Sequence, residues 1–377
     1  MKRHTSLILL ATLALGLNSC QLVQPPPDEP DPGGDNVIQQ ILGELSIEEK
    51  VGQLMYIGVP GRELNADMAI ISAIRPGGVI LFGRNISTRE GTISAINAYY
   101  SNSEVPVAPF IGIDQEGGPV SRLPATWATR YPVAAEVGKL TADEARQLAR
   151  SMGQELSALG INMNFAPVLD INSNPRNPVI GDRSYGSTAA EVWNAGEAVL
   201  AGLQDGGVIP VVKHFPGHGD TSTDSHLELP RIDASRDLLE QRELWPFRQA
   251  IAADAPAIML GHLLVPALDA LYPASLSSQI VTDLLRNEYG FAGLVITDDL
   301  EMKAIAQEDI GSAAVRSILA GADMVLVCHT YAKQQAVFDS LLQAVADGTI
   351  SMERLDQSVQ RVLSLKHAYQ ILSITSR

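Results

Sequence analysis

Three histidines, two aspartates and a lysine fall within fourteen residues of a chain that holds only seven histidines. They lie in Lys213-His214-Phe215-Pro216-Gly217-His218-Gly219-Asp220-Thr221-Ser222-Thr223-Asp224-Ser225-His226. Side chains of these types move protons, bind metals or grip polar ligands. The segment leaves an apolar run and enters a loop rich in Gly, Pro, Ser and Thr, a good place for catalytic groups on a rigid scaffold. Asp224 stands two residues before His226. That spacing lets the carboxylate hold one ring nitrogen and leaves the other for proton transfer. A metal site is the rival reading. No His-Glu-x-x-His or cysteine pattern supports it, so neither a metal nor an organic cofactor is expected. A plain polar turn accounts poorly for the density of histidine.

A second chemical element is Asp298, at the end of the apolar run Leu294–Asp298. A carboxylate on a strand end is a rigid nucleophile. Capping of a following helix can fall to Asp299 instead. Lys213 also ends an apolar run, where an unpaired ammonium would be costly, so it needs a carboxylate or a ligand. Asp114 fits a turn before Gly117-Gly118 or a contact to a polar ligand. Arg183 fits either a ligand contact or an ion pair with Asp182 or Asp170. Glu116 and His262 read as structural polar groups.

The elements that must hold these groups follow a regular order. Candidate strands are Tyr56–Val59, Gly78–Phe82, Phe110–Asp114, Met163–Leu169, Ile209–His214, Ala257–Gly261, Leu294–Asp298 and Met324–Cys328. Most are continuous apolar runs, as in parallel strands covered on both faces. Between and after them the sequence predicts helices over Ala142–Leu159, Ala190–Gln204, Arg236–Ala253, Ser278–Tyr289, Gly311–Ala320, Ala332–Ala346 and Glu353–Ala368. Ser46 and Glu49 form a capping-box pattern ahead of Val51, Leu54 and Met55. Eight such units predict an α/β fold, a single (β/α)8 TIM-type barrel. An open doubly wound sheet is the alternative, but no glycine-rich dinucleotide fingerprint follows the first strand. Asp114-Gln115-Glu116, Asp170, Lys213-His214, His262 and Asp298-Asp299 all sit at the ends of apolar runs. In a barrel those ends share the C-terminal face, where active sites of this fold lie.

At Lys213–Gly219 and Asp224-Ser225-His226 the chain closely resembles the NagZ-like β-N-acetylglucosaminidases of glycoside hydrolase family 3. The resemblance continues through Gly77–Phe82, Ile113–Gly118, Asn164–Asp170, Asn177–Tyr185, Pro273–Ser277 and Gly293–Met302, and covers roughly residues 40–370. It implies a barrel and a two-step retaining mechanism. Carried over by matching positions, it implies Asp298 as nucleophile, His226 as acid/base and Asp224 as its orienting partner. Asp114, Arg122, Arg183, Lys213 and His214 then form the sugar-binding set, with Met302 near the site. Pro119 stands where the family often has Arg, with Arg122 downstream. A neutral histidine after glycosyl transfer would not repel an anionic acceptor, so phosphate in place of water is a side expectation. Family 3 enzymes without the Asp-x-His loop usually draw their acid/base from a second domain, which this chain is too short to carry. A broader β-glucosidase-like enzyme and an inactive sugar-binding lipoprotein remain the alternatives.

The N-terminus carries Lys2 and Arg3, an apolar run from Leu7 to Leu17, and Leu17-Asn18-Ser19-Cys20. That order describes a secretory signal too short to span a bilayer, ending in a lipobox-like cysteine. The expected division is a signal peptide over 1–19, a Pro/Gly/Asp-rich tether over 20–36 from a lipidated Cys20, and the barrel over 37–377. The expected product is an exported, lipid-anchored envelope protein, monomeric, acting on a glycan or muropeptide containing N-acetylglucosamine. Cys328, the only other cysteine, is expected as a buried thiol. The formal net charge of −16 argues against nucleic-acid binding.

Overall fold

The computed structural model describes residues 34–372 apart from 62, 103, 222–227 and 307. The signal peptide, Cys20, Asp224 and His226 therefore lie outside the described residues. Eight parallel strands close into a barrel in chain order. They are β1 (Met55–Gly58), β2 (Gly78–Leu81), β3 (Phe110–Ile113), β4 (Met163–Asn164), β5 (Ile209–Phe215), β6 (Ala257–Leu260), β7 (Leu294–Asp299) and β8 (Met324–Val327). Helices lie between successive strands and follow β8, as Tyr331–Ala346, before the closing helix Met352–Ala368. The predicted barrel and all eight strands are present.

The side-chain period of two divides the strands between two cores. On β1, Tyr56 packs into the barrel interior while Met55 and Ile57 join the surrounding helices. On β7, Leu294 and Ile296 point inward and Val295 outward. Interior positions on β3 and β5 begin with Phe110 and with Ile209 and Val211. The same alternation carried two residues past the packed layer reaches Asp114, Lys213 and Asp298, all of which line the cavity at the barrel mouth. Barrel register thus aims the site residues.

Three boundaries differ from the sequence reading. The expected strand Met163–Leu169 is regular only over its first two residues, because Pro167 has no N–H to give a ladder. The rest still bonds β5, through Val211 N–H to Ala166 O at 3.0 Å and Leu169 N–H to Lys213 O at 2.7 Å. The expected helix Arg236–Ala253 is two helices, Arg236–Gln241 and Trp245–Ala252. Pro246 lies in the first turn of the second, and between the two Arg242 forms ion pairs with Glu243 and with Asp220. The first helix spans Gly34–Glu44, so residues 34–36 of the expected tether are helical. The Ser46–Glu49 capping box forms, with Glu49 N–H to Ser46 Oγ at 3.2 Å and Ser46 N–H to Glu49 Oε2 at 2.8 Å.

Below the barrel mouth, one buried carboxylate ties several elements together. Asp323 is wholly buried at the entry to β8. It accepts hydrogen bonds from Arg286, Arg361 Nη1 at 3.0 Å, Ser358 Oγ at 3.1 Å and Val295 N–H at 2.9 Å, and Arg354 Nη1 lies 4.0 Å away. Removing this charge leaves three guanidinium groups without their counter-ion. Asp323→Ala is expected to destabilise the fold by about 3–5 kcal/mol, read as the shift in a denaturant unfolding curve. A cost below about 1 kcal/mol would show that the arginines find other partners.

Candidate active site

The cavity at the C-terminal ends of the strands has a volume of about 450 Å³. Its wall includes Asp114, Arg122, Arg183, Lys213, His214, Asp298 and Met302. Every described member of the candidate catalytic and binding sets is therefore in one place.

An ion-pair network organises one side. Lys213 is nearly inaccessible, with Nζ 2.8 Å from Asp114 Oδ1 and 2.7 Å from Glu116 Oε1. Arg183 grips Glu116 with two bonds of 2.8 Å, from Nε to Oε2 and from Nη2 to Oε1. Such a fork fixes orientation as well as charge. Burial alone would raise the Glu116 carboxyl, but Lys213 and Arg183 outweigh it and hold it at about 2. Burial alone would likewise lower the Lys213 ammonium, and Asp114 and Glu116 reverse that. Glu116 is thus a structural polar group that seats two cations. Arg183 pairs with it, rather than with Asp182 or Asp170. Arg122 crosses from the loop after β3 and donates to Asp114 Oδ2 at 3.3 Å, while its buried Nε has no partner among the described residues.

A second network centres on Asp170, which is wholly buried. Its Oδ2 lies 2.6 Å from His214 Nδ1, and its Oδ1 accepts the His218 N–H at 2.6 Å and the His214 N–H at 3.2 Å. Burial would raise this carboxyl, but His214 and the His218 backbone keep it below the ordinary range. His214 is thereby oriented with its other ring nitrogen left for a ligand.

Asp298 stands apart from both networks. Its carboxylate accepts one hydrogen bond among the described residues, from the Asp299 N–H at 2.8 Å. Burial would raise its pKa, yet His214, His262, the Asp299 N–H and Lys213 together lower it. It is an ionised carboxylate facing the cavity, without a tight ion pair among the described residues. His262 backs it from outside the cavity, bonded through Nδ1 to Ser275 Oγ at 2.7 Å and through Nε2 to Asp299 O at 3.0 Å.

Asp299 behaves differently. Its Oδ1 accepts from the Glu301 and Cys328 N–H groups at 3.1 and 3.2 Å, and Oδ2 lies 3.3 Å from His329 Nε2. Burial raises its pKa to about 7, against about 4 in an unfolded chain. The folded state therefore binds more protons between these values. Stability from this group is full below pH 4 and lost as pH rises through 7. Asp299→Asn keeps the acceptor and removes the charge. It is expected to raise Tm by about 2–6 °C at pH 8 and to leave it little changed at pH 4. An equal change at both pH values would contradict the assignment.

Phe82, Cys328 and His329 also line the cavity. The sequence reading placed none of them there. Phe82 and Cys328 follow the inward period of β2 and β8, which was the available signal. His329 packs on Phe82 with ring centres 5.1 Å apart, and Arg84 covers the Phe82 ring at 4.4 Å. Cys328 is a buried free thiol, as expected. Among the described residues no group of three or more His, Cys, Asp or Glu is placed to hold a metal ion.

Polar and ionisable groups from several strand ends thus converge on one cavity, where Asp298, among the described residues, accepts a single hydrogen bond. Comparison with known proteins gives the class. Residues 46–365 match the model described as the glycosyl hydrolase family 3 N terminal domain. The chain is 37% identical over 325 residues to Beta-hexosaminidase A of Pseudoalteromonas piscicida, covering 79% of this chain and 54% of that one. It is 37% identical to Beta-hexosaminidase LpqI of Mycobacterium tuberculosis, covering 85% and 83%. The structure of a glycoside hydrolase family 3 beta-N-acetylglucosaminidase from Paenibacillus sp. str. FPU-7 superposes with a TM-score of 0.83 at 44% identity, covering 88% of this chain and 65% of that one. The chain thus spans about half the length of the first relative and most of the second. It belongs to glycosyl hydrolase family 3.

Proposed function

We propose that the protein is a retaining β-N-acetylhexosaminidase. It releases terminal, nonreducing β-linked N-acetylglucosamine from peptidoglycan-type, muropeptide or chitooligosaccharide substrates. The observation that carries this is Asp298: an ionised carboxylate at the end of β7, facing the cavity, beside cations already committed to other carboxylates. It attacks the anomeric carbon, and His226, held by Asp224, protonates the leaving oxygen. Water activated by the then neutral His226 completes a double displacement. Asp114, Arg122, Arg183, Lys213 and His214 hold the hydroxyls of the departing sugar, with Met302 against the ring. The name of the Paenibacillus relative, a beta-N-acetylglucosaminidase, supports the N-acetyl sugar, and that of the mycobacterial relative, a beta-hexosaminidase, supports an aminohexose.

Export as a lipoprotein on Cys20 belongs to the same reading. It is supported by Lys2, Arg3, the Leu7–Leu17 run and Leu17-Asn18-Ser19-Cys20. The protein then works as a monomer at the cell envelope, near peptidoglycan fragments. Labelled palmitate is expected to be incorporated into the wild type and not into Cys20→Ala, and equal labelling of both would contradict that part.

The test of activity compares an aryl β-N-acetylglucosaminide with the matching aryl β-glucoside. A clear preference for the N-acetyl substrate is expected. Turnover of the glucoside alone would move the protein to the broader β-glycosidases, and silence on both would leave a sugar-binding lipoprotein.

A further inference from the structure

Among the described residues, His218 is the one imidazole of the cavity wall with a buried nitrogen that has no hydrogen-bond partner. It is 3% exposed and lines the cavity together with Asp298. Its Nε2 has no hydrogen-bond partner among the described residues. Buried polar atoms are nearly always paired, so this one calls for an explanation. Its neighbours do not supply one. The nearest aromatic group is the His214 ring, edge-on with centroids 6.1 Å apart, and His214 already spends Nδ1 on Asp170.

The backbone around His218 is tightly fixed. The His218 N–H donates to Asp170, and its carbonyl accepts from Asn177 Nδ2 at 2.8 Å. Gly217 lies at φ +123°, and a Cβ on Gly219 would come within 1.6 Å of Ile171 O. On the ring, Nδ1 faces Thr221 Oγ1 at 3.4 Å. Nε2 is the remaining polar atom.

We propose that His218 is a further sugar-contacting residue, whose Nε2 pairs with an uncharged hydroxyl or amide of the glycosyl unit seated beside Asp298. The inference rests on the proposed glycosidase function and adds a contact to its site. Sugar hydroxyls both donate and accept, so they satisfy either ring tautomer. The imidazole is suited to this, since burial lowers it to about 4 and keeps it neutral at working pH. Unlike Lys213 and Arg183, it adds no charge beside the nucleophile. Nε2 is sealed in the empty cavity, so the contact forms as the ring turns on its fixed backbone to meet the ligand; the cost of the unpaired atom is carried by the empty enzyme and relieved by substrate.

The test uses the full chain with His218→Phe and His218→Gln. Phenylalanine keeps a flat ring and removes the orphaned nitrogen, whereas glutamine places an amide nitrogen near the same point. His218→Phe is expected to lower kcat/KM about ten- to hundredfold and to weaken N-acetylglucosamine binding by a similar factor in calorimetry. Its Tm should not fall, because an unsatisfied buried atom has gone. His218→Gln should recover most of the loss. Wild-type affinity and kcat/KM in His218→Phe would overturn the proposal. Should that variant fail to fold, the decision passes to the wild type. There the ¹⁵N signals of His218 must move when N-acetylglucosamine is titrated in, and unmoved signals would overturn the contact. All comparisons are relative to wild type on whichever aryl glycoside it turns over. A preference for glucoside therefore defeats the N-acetyl reading without deciding the fate of His218, for which glucose then replaces N-acetylglucosamine as titrant.

Discussion

Asp298→Ala is expected to lower kcat on an aryl β-N-acetylglucosaminide by about ten-thousandfold or more, with little change in sugar affinity. The carboxylate is a covalent partner in the proposed reaction, so its loss removes a step rather than a contact. The proposed sugar-binding network keeps its own ion pairs without it. Lys213, Asp114, Glu116 and Arg183 are bonded to one another and not to Asp298, so the truncated site should still hold N-acetylglucosamine. The missing carboxylate also leaves space on the face from which it attacked. Azide or formate added to the variant should enter that space and restore turnover of an activated aryl substrate. Attack from that face inverts the anomeric centre once, so the product with azide should be the α-glycosyl azide, detectable by NMR. Wild type, with two inversions, should release the β-sugar. The pH profile follows from the same environment. Asp298 is held below the ordinary carboxylate range, and it must be ionised to act. Protonation of the nucleophile therefore causes no loss of kcat/KM above about pH 4. An acid limb centred above that value would belong to another group. Wild-type turnover by Asp298→Ala would place the nucleophile elsewhere.

Much of this site was legible because β-strands repeat every two residues. An apolar run that ends in Asp or Lys gives both the strand and the direction of its last side chain. Leu294 and Ile296 point inward, which fixes Asp298, and Phe110 does the same for Asp114. Arg183 and Arg122 were different. They come from loops, whose course no local period records, and only the resemblance brought them to the site. Structure adds the reason for Arg183: Glu116 draws it in with a two-pronged ion pair. Phe82 and Cys328 obey the strand period, but an aromatic ring and a neutral thiol at the end of an apolar run carry no charge to mark them as site residues. His329, just beyond β8, reaches the cavity through its packing on Phe82, a tertiary contact. The break between Gln241 and Trp245 had a local signal in Pro246. It was outweighed by an apolar pattern that continues across it, and the ion pairs of Arg242 with Glu243 and Asp220 could not be foreseen from spacing.

His226→Ala should divide substrates by the basicity of their leaving group. An aryl alcohol such as dinitrophenol departs as an anion without help, whereas the sugar alcohol of a chitooligosaccharide must be protonated as it leaves. The first displacement should therefore fall by about a hundred- to ten-thousandfold for the oligosaccharide and by tenfold or less for the dinitrophenyl glycoside. The second displacement is affected in every case, because the same imidazole has to take a proton from water. With the dinitrophenyl substrate the variant should then show a burst of one equivalent of phenol and a slow steady state. Azide needs no general base, so it should speed that steady state, while leaving the burst unchanged. Asp224→Asn should show the same pattern more weakly, since it leaves the imidazole in place and removes only the carboxylate that orients it. Asp170 and His214 form a similar carboxylate–imidazole pair, but that ring lies in the cavity wall among the groups proposed to hold the sugar hydroxyls, so it is not assigned to the leaving oxygen. A loss equal across all leaving groups would mean that residue 226 binds or shapes the site, and the proton donor would have to be sought on another strand end.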